Sequence, residues 1–412
     1  MHTESDPTCP PDAGWYHDRR YRVFKQAKAE IGHLLGYFEA RHSHNGHTVQ
    51  TETGQEVINF SGYDYLSLSR HPEVQKATLD AVARFGSSAG ASRLVSGETP
   101  LHQALERRIA EFLGVERALS FVSGHGANVT TIGFLFGKND LIVHDAYIHN
   151  SVLEGIKLSG AERRSFNHND IQDLEEKLKQ TRHFKHVLVV VEGVYSMDGD
   201  APDLRAIVAL KAKYDFVLMV DEAHSLGTVG ETGRGIAELY RVPPEAIDIL
   251  MGTLSKSLVS CGGYIAGRRD LIDFLQYNCP GFVFSTGLPP ANAAAALAAL
   301  DIIDREPALV EELQDKARYF LDQAHAAGLD TGTAGGTPVF PIYLDQHAAI
   351  LACNALREGG VNAFPIIYPA VSRSAARIRF FLNRAHSHAQ IDKTIRLLSS
   401  YLSTLSDPGL AA

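Results

Sequence analysis

Short apolar segments recur at regular intervals in the middle of the chain, and segments with helical spacing lie between several of them. The apolar segments read ALSFV, DLIVHD, HVLVVVEG, FVLMVDEAH, IDILMG and GYIAG. The segments DIQDLEEKLKQT and DLRAIVALKAKY instead place apolar residues at helical spacing. Apolar strands that alternate with helices predict an α/β fold with a mainly parallel sheet covered on both faces.

The pattern changes at both ends of the chain. Near the N-terminus, YRVFKQAKAEIGHLLGYFEARH predicts a helix and TVQTETGQEVINF a hairpin around Thr53 and Gly54. After about residue 300, helical segments flank the strands TPVFPIYL and ARIRFFL, and Pro341 favours an edge or a bend. We therefore predict three parts, which are an N-terminal arm of helix and hairpin over 1–57, a large domain over 58–300 and a smaller α+β domain over 301–412.

The composition is that of an ordinary globular protein, and it disfavours several classes of function. The formal net charge of -9 disfavours a general nucleic-acid binder, which would usually be basic. The longest uncharged apolar run lies within LPPANAAAALAAL and is too short to span a bilayer. Scattered cysteines and the lack of an apolar signal core favour a reducing, cytoplasmic location and no structural metal site.

Polar residues of matching chemistry follow several of the predicted strands. Ser123, Gly124 and His125 lie between ALSFV and a predicted helix, where small residues leave backbone amides free to bind a phosphate. His149 follows the next strand, and its ring could lie flat on a planar cofactor. Taken singly these signals are weak, because a plain glycine-rich turn and a hydrogen-bonded structural histidine are the commoner explanations.

An aspartate ends the predicted strand FVLMV. This residue is Asp221, and His224 lies three positions further on. A carboxylate buried at a strand end is costly unless a cation or hydrogen-bond donors compensate it. A protonated pyridine nitrogen is such a cation, and His224 could then reach a phenolic oxygen on the same ring. The alternative is an aspartate that only caps the following turn.

The segment GTLSKSLVSCGGYIAG holds Lys256 as its only charged residue. Partial desolvation lowers the pKa of a lysine, so this neighbourhood suits an amine that must become neutral and nucleophilic. Thr253 and Ser255 offer hydroxyls for a phosphate, and Ser196 offers another just past the strand HVLVVVEG. The pattern indicates a lysine that forms a Schiff base, and the alternative is a loop lysine in a turn of small residues.

Longer segments of the chain resemble one enzyme family. DEAHSLGTVGETGRG, GTLSKSLVSCGGYIAG, EGVYSMDGD and ASRLVSGETPLHQALE are similar to the α-oxoamine synthases, and the similarity runs from about residue 20 to 403. These are pyridoxal 5′-phosphate (PLP) enzymes of the aspartate-aminotransferase fold, PLP-dependent transferase fold type I. FVSGHGANVTTIGFLFG and PGFVFSTGLPPANAAAALAAL resemble most closely members associated with polyketide synthases.

The resemblance implies how the chain would bind PLP. Lys256 would hold the cofactor as a Schiff base and shuttle protons, His149 would stack on the pyridine ring, and Asp221 would pair with the ring nitrogen. His224 and Ser196 would lie near the phenolic oxygen. The phosphate would be surrounded by Ser123, Gly124, His125, Thr253 and Ser255, and, from the neighbouring subunit of an obligate homodimer with shared active sites, Thr286.

The resemblance also implies an amino-acid site. Arg379 in ARIRFFLNRAH matches the arginine that grips the planar carboxylate, whereas Arg377 alternates to the other strand face. Tyr63 in SGYDYLSL replaces an asparagine that usually helps to bind the amino acid. Ile367 and Ala370 in IIYPAV occupy positions that are polar in aminooxononanoate synthases. Both departures count against an assignment to the biotin pathway.

The implied reaction joins a small amino acid to an acyl thioester of coenzyme A or an acyl-carrier protein. Glycine, alanine and serine are all open, and the products are an α-amino ketone, CO2 and a free thiol. His149 is a candidate donor to the developing oxyanion. The alternatives are an aminotransferase or amino-acid decarboxylase of the same fold, or a non-catalytic partner subunit, and no nucleic-acid or membrane partner is expected.

Overall fold

The computed structural model describes residues 18–368 and 370–406. Its strands, in chain order, are β1 (Arg41–His44), β2 (Thr48–Thr51), β3 (Glu56–Asn59), β4 (Arg117–Phe121), β5 (Leu141–Asp145), β6 (Glu162–Phe166), β7 (Val187–Glu192), β8 (Val217–Asp221), β9 (Ile249–Thr253), β10 (Gly263–Gly267), β11 (Val339–Tyr343), β12 (Val361–Asn362), β13 (Phe364–Ile366) and β14 (Arg377–Phe381). Its helices are α1 (Arg19–Leu35), α2 (Pro72–Phe85), α3 (Pro100–Leu113), α4 (Gly124–Leu135), α5 (Asn150–Ser159), α6 (Ile171–Leu178), α7 (Leu204–Lys211), α8 (Ile236–Tyr240), α9 (Arg269–Asn278), α10 (Pro280–Val283), α11 (Pro290–Arg305), α12 (Ala308–Ala326), α13 (Gln346–Glu358) and α14 (His388–Ser406).

The largest sheet has the strand order β4-β10-β9-β8-β7-β5-β6. Strands β6, β5, β7, β8 and β9 run parallel to one another, whereas β10 runs antiparallel to both β4 and β9. The predicted mainly parallel sheet is therefore confirmed. Because ligands in such sheets bind at the carboxyl ends of the strands, the residues that follow β5, β7, β8 and β9 lie where a site is expected.

Both faces of this sheet are buried, which explains why its central strands are apolar throughout. Val189 and Val191 of β7 belong to the core on one face, and Leu188 and Val190 belong to the core on the other. Side chains along a strand point alternately to opposite faces, so a strand covered on both sides must be apolar at every position. The sheet is thereby held as a rigid platform for the loops at its edge.

Two smaller sheets complete the fold. Strands β2 and β3 form the predicted hairpin, and β3 also pairs in parallel with β12 from the C-terminal part of the chain. The other sheet has the order β11-β14-β13, so Pro341 in β11 lies in an edge strand, as its missing N–H requires. The central strand β14 carries Arg377 and Arg379 toward the large sheet's loops.

Local signals explain where several helices begin and end. The predicted helix over LHQALERRIAEFLG begins after Thr99, whose hydroxyl accepts from the amide of His102, and ends at Gly114 in the left-handed conformation. Ser123 caps α4 in the same way through the amide of Gly126. Within the part of the chain that the structure describes, no helix is long and apolar enough to cross a membrane.

Strand β6 was not predicted from the pattern of apolar runs. Its sequence ERRSF is polar, and only Phe166 is buried. The strand lies at the outer edge of the large sheet beside β5, where charged side chains can reach solvent. An edge strand needs no apolar run, so the apolar criterion does not detect it. The division of the chain into three parts stays a prediction.

Candidate active site

A cavity lies at the carboxyl edge of the large sheet. Its lining comes from the ends of β7, β8 and β9, from the first two turns of α4, from the start of α5, and from the loops after β8 and β9. The lining residues are Gly124, His125, Asn128, His149, Ser151, Glu192, Asp221, Ala223, His224, Met251, Thr253 and Lys256. The structure thus brings together most of the side chains that the sequence predicted for one site.

Lys256 lies in the loop between β9 and β10 and is partly buried. Its Nζ atom lies 5.7 Å from the centre of the Tyr63 ring, whose outer face is exposed to solvent. Desolvation lowers the pKa of this amine to about 8, although the negative charges of Asp221 and Glu192 oppose the shift. A substantial fraction of the amine is therefore neutral near physiological pH, as a nucleophile requires.

Asp221 is a buried carboxylate at the end of β8, held by two neutral donors. One oxygen, Oδ2, accepts from the side-chain amide of Asn128 at 2.8 Å. The other, Oδ1, accepts from the backbone amide of Ala223 at 3.0 Å. These contacts fix the carboxylate on the cavity wall without neutralising it. A cationic group in the cavity would be stabilised by the charge of Asp221.

His224 is neutral and oriented by a tyrosine. Its Nδ1 atom lies 2.7 Å from the hydroxyl of Tyr65, and its ring stacks on Phe381 with 5.9 Å between the centres. Burial, reinforced by the positive charges of Lys256 and Arg379, lowers the pKa of His224 well below its usual range. The imidazole can therefore exchange hydrogen bonds with a ligand without carrying a charge.

One ring nitrogen of His149 is already hydrogen-bonded within the chain. It is the N-cap of α5, and its Nδ1 atom accepts from the amide of Ser151 at 3.3 Å. In the neutral ring the proton then lies on Nε2, which is free to donate. Burial lowers the pKa of His149, so the ring is neutral near physiological pH.

The N-terminus of α4 meets β9 at the cavity wall. A Cβ atom at Gly124 would lie 3.0 Å from Oγ1 of Thr253, so glycine lets the start of α4 pack closely against this side chain. In the first turn of α4, the amides of Gly126 and Ala127 donate to Ser123, so the amides of Gly124 and His125 are the candidate donors for an anion. Thr253 donates to the carbonyl of Gly262 at 3.0 Å, and Ser255 is exposed nearby.

Arg379 reaches the loop that follows β7. Its Nη1 atom donates to the carbonyl of Ser196 at 3.0 Å and lies 3.3 Å from the sulfur of Met197. Among the residues that the structure describes, no carboxylate forms an ion pair with Arg379, and burial lowers its pKa. The prediction that Arg377 lies on the other strand face is wrong: Arg377 is two positions from Arg379 in β14, so both side chains lie on the same face, and Arg377 donates to the carbonyl of Met197 and forms a buried ion pair with Asp198 at 2.6 Å.

Some predicted residues lie outside the cavity lining. Ser123 lies beside the cavity as the N-cap of α4, and Ser196 is buried under Arg379 with its amide bonded to the carboxylate of Glu192. Thr286 is exposed and bridges to Ser92, so within one chain it does not line the cavity. Its predicted contact with a neighbouring subunit stays a prediction.

The sequence analysis did not predict several residues of the site, among them Asn128, Tyr65 and Glu192. Asn128 positions Asp221, Tyr65 positions His224, and Glu192 places a second buried carboxylate in the cavity lining. Burial and the nearby charge of Asp221 raise the pKa of Glu192 well above its usual range. Glu192 ends the apolar strand HVLVVVE, which is the signal that identified Asp221. Asn128 and Tyr65 carry no comparable signal.

The donor set fits PLP. A partly buried amine of lowered pKa suits an aldehyde, a buried carboxylate without a cationic partner in the described chain suits a protonated ring nitrogen, and the first two amides of α4 suit a phosphate. The side chain of Asn128 also leaves its Oδ1 atom buried without a partner in the described chain.

Comparisons with known proteins agree with this chemistry. The family described as aminotransferase class I and II matches residues 55–398. The chain is 39% identical over 345 residues to an 8-amino-7-oxononanoate synthase of Thermoanaerobacter pseudethanolicus, an alignment that covers 83% of this chain and 87% of the relative. A serine palmitoyltransferase of Sphingomonas wittichii superposes with a TM-score of 0.89 at 29% identity, covering 94% of this chain and 98% of the other. A serine palmitoyltransferase determined with PLP gives a TM-score of 0.90 at 27% identity, covering 96% and 100%.

Proposed function

Because this chain belongs to the aminotransferase class I and II family, in its α-oxoamine synthase branch, we propose that it joins a small amino acid to an acyl thioester. The products are an α-amino ketone, CO2 and a free thiol. One observation carries this proposal: the same cavity is lined by an amine of lowered pKa and by a buried carboxylate, and Arg379, which has no ion-pair partner in the described chain, lies close enough to lower the pKa of that amine further.

The residues that would hold PLP are those of the cavity wall. Lys256 would bind the aldehyde, Asp221 would hold the proton on the ring nitrogen, and the first turn of α4 with Thr253 would bind the phosphate. When bound, PLP supplies an electron sink that stabilises negative charge at Cα of the amino acid.

Lys256 is the group that would move the Cα proton. Its pKa of about 8 lies close to physiological pH, so Nζ can both accept a proton and return it. Asp221 raises the pKa of this amine through its negative charge, which prevents burial from making the base too weak. His149 would donate from Nε2 to the oxygen on which charge develops when the thioester carbonyl is attacked.

Arg379 would bind the amino-acid carboxylate and thereby orient Cα toward Lys256. A guanidinium suits this task, because it presents two parallel donors to a planar carboxylate. Tyr63 would form the wall opposite, since its ring lies over the amine of Lys256 and packs edge-on against Phe381 with 5.0 Å between the centres. The amino acid, the acyl chain and the choice between coenzyme A and a carrier protein remain to be assigned.

The proposed assembly is a homodimer in the cytoplasm with active sites shared between subunits. Large apolar side chains near Thr286 support a second copy on this face, because Phe284 is 86% exposed and Val95 is 77% exposed. A second subunit would bury both and bring a second Thr286 hydroxyl toward the cavity. Sedimentation of the wild type and of Phe284→Asp would test this, with a monomeric wild type as the contradicting result.

The reaction itself is tested by thiol release. Purified protein loaded with PLP is given amino acids and acyl thioesters of coenzyme A and of a carrier protein, singly and in pairs. The proposal expects thiol and CO2 only when both substrates are present. Formation of a keto acid without thioester would indicate an aminotransferase, CO2 from the amino acid alone would indicate a decarboxylase, and failure to bind PLP would indicate a non-catalytic partner.

A further inference from the structure

His168 lies beyond the cavity, between two buried carboxylates. Its Nδ1 atom lies 2.9 Å from Oδ1 of Asp145, and its Nε2 atom lies 3.0 Å from Oδ2 of Asp200. A carboxylate only accepts hydrogen bonds, so the ring satisfies both partners only when both nitrogens carry protons. The ring also stacks on Tyr147 at 4.3 Å and meets the edge of Tyr195 at 4.5 Å.

The electrostatics favour the same charged ring. Burial alone would lower the pKa of His168, but the hydrogen bonds and charges of Asp145 and Asp200 outweigh burial and raise it to about 10. Asp145 is fully buried at the end of β5, where it also accepts from the amides of Tyr147 and Asn169. The cation is therefore anchored to the edge of the large sheet.

Asp200 connects this cation to the segment that carries the Arg379 contacts. Its backbone carbonyl accepts from the amide of Tyr195 at 2.9 Å, which closes residues 195–200 into a compact loop. Its Oδ2 atom also accepts from the hydroxyl of Thr333 at 2.6 Å. Within this loop, the carbonyl of Ser196 and the sulfur of Met197 are the atoms that contact the guanidinium of Arg379.

Residues of the C-terminal part of the chain also hold this loop. Arg377 pairs with Asp198 at 2.6 Å and donates to the carbonyl of Met197 at 3.1 Å. Thr337 donates to the carbonyl of Gly199 at 2.8 Å. A Cβ atom at Gly199 would lie 1.9 Å from the carbonyl oxygen of Val339, so the loop packs directly on β11. The loop is thus clamped between the two parts of the molecule.

We propose that His168 is a positioning residue: its imidazolium, held between Asp145 and Asp200, fixes loop 195–200 and so aims Arg379 at the amino-acid carboxylate. This inference rests on the proposed function, because it assigns Arg379 to the carboxylate. His168 does not line the cavity. It acts through three hydrogen bonds: His168 with the carboxylate of Asp200, the carbonyl of Asp200 with the amide of Tyr195, and the carbonyl of Ser196 with Arg379.

The test measures amino-acid binding to the PLP-loaded wild type and to PLP-loaded His168→Gln. His183→Gln is the matched control, since His183 is exposed on another loop. The probe is whichever of glycine, L-alanine and L-serine most changes the wild-type PLP absorption. We expect His168→Gln to raise the dissociation constant of this amino acid about tenfold, whereas the affinity for PLP should stay within about twofold of the wild type. A change of this size is typical of residues that belong to one hydrogen-bond network. In an Arg379→Gln background the same substitution should change amino-acid binding by less than about twofold.

A second readout needs no cofactor. In apo protein with 15N-labelled histidine, the His168 ring should carry protons on both nitrogens at pH 9, and its signals should vanish only in His168→Gln. If His168→Gln does not fold, Asp200→Asn keeps the shape of the carboxylate, removes its charge and should weaken amino-acid binding in the same direction.

Three results would overturn the inference: a neutral His168 at pH 7, unchanged amino-acid affinity in a folded His168→Gln, or an equal loss in the Arg379→Gln background. If wild-type protein responds to none of the three amino acids, the proposed function fails. The nitrogen signals then still decide whether His168 is the buried cation.

Discussion

Two groups of buried or partly buried ionisable side chains differ in how their charges are matched. The junction cluster consists of Asp145, His168, Asp198, Asp200 and Arg377, and each of its cations is hydrogen-bonded to a carboxylate. The cavity cluster consists of Glu192, Asp221 and Lys256, and among the described residues no ion pair joins its members.

The difference indicates which charged groups stabilise the fold and which are available to bind a ligand. In the junction cluster, paired charges at 2.6–3.0 Å hold two parts of the molecule in register. In the cavity cluster, desolvation without a partner leaves Glu192 with a raised pKa and Lys256 with a lowered one. Strongly perturbed groups that face a cavity are typical of functional sites. Substitutions in the cavity cluster should therefore reduce activity, whereas substitutions in the junction cluster should reduce stability.

The largest effect is expected from Lys256→Ala in the cavity cluster. Covalent binding of PLP should be lost, and turnover should fall by at least the ~10²–10⁴-fold that a positioned acid–base group contributes. Far-UV circular dichroism should match the wild type, since the lysine forms no structural ion pair in the described chain. Lys213→Ala, at an exposed lysine, is the control, and normal multiple turnover by Lys256→Ala would refute the assignment.

Breaking the junction cluster should instead cost stability. Arg377→Gln leaves Asp198 buried without its cation, which typically lowers the free energy of unfolding by about 3–5 kcal/mol. Arg305→Gln, which breaks an exposed pair with Glu73, should cost less than about 1 kcal/mol. Urea unfolding at one fixed protein concentration compares the two. Equal losses would mean that the buried pair has no special structural role.

Asp221→Asn should slow chemistry and leave the fold intact. The amide keeps the shape of the carboxylate but no longer stabilises a cation in the cavity, so Cα deprotonation should slow by about 10²–10³-fold. Exchange of the Cα proton with solvent deuterium measures this step directly. Asp315→Asn, at an exposed aspartate, is the control. Unchanged exchange in Asp221→Asn would mean that Asp221 does something else.

The smallest effect concerns the pH at which Lys256 becomes reactive. Only the neutral amine attacks an aldehyde, so the rate at which apo protein captures PLP should rise with pH, with a midpoint near the pKa of about 8. Asp221 raises this pKa, so Asp221→Asn should move the midpoint to lower pH by less than about one unit. Stopped-flow absorption from pH 6 to pH 10 follows the capture. A midpoint near 10.5 would show that the amine is not desolvated.

Much of the fold and of the cavity could be predicted from the sequence, because both depend on local signals. Apolar runs indicated the central strands, and polar residues just after those runs indicated Asp221, His149 and Lys256. Parallel strands bring such residues to one edge, so separate signals combine into one site. Glu192 carried the same signal as Asp221, and the rule that found one should have found both.

The junction cluster could not be predicted in this way. His168 meets Asp145 from 23 positions away and Asp200 from 32 positions away, and Asp198 meets Arg377 from 179 positions away. Asp145 ends an apolar strand as Asp221 does, but nothing in the sequence marks which residues these groups meet. The contact between Asp198 and Arg377 depends on how the small sheet packs against the large one. Asn128 and Tyr65 escaped notice for the same reason: each acts only through a distant partner.

The central claim is that the amine of Lys256 is the group to which PLP attaches. Apo protein is incubated with PLP, the linkage is fixed by borohydride reduction, and the proteolytic peptides are analysed by mass spectrometry. The account predicts a reduced PLP adduct on the peptide that contains Lys256 and no adduct at saturating occupancy in Lys256→Ala. An adduct on another lysine, or none in the wild type, would contradict it.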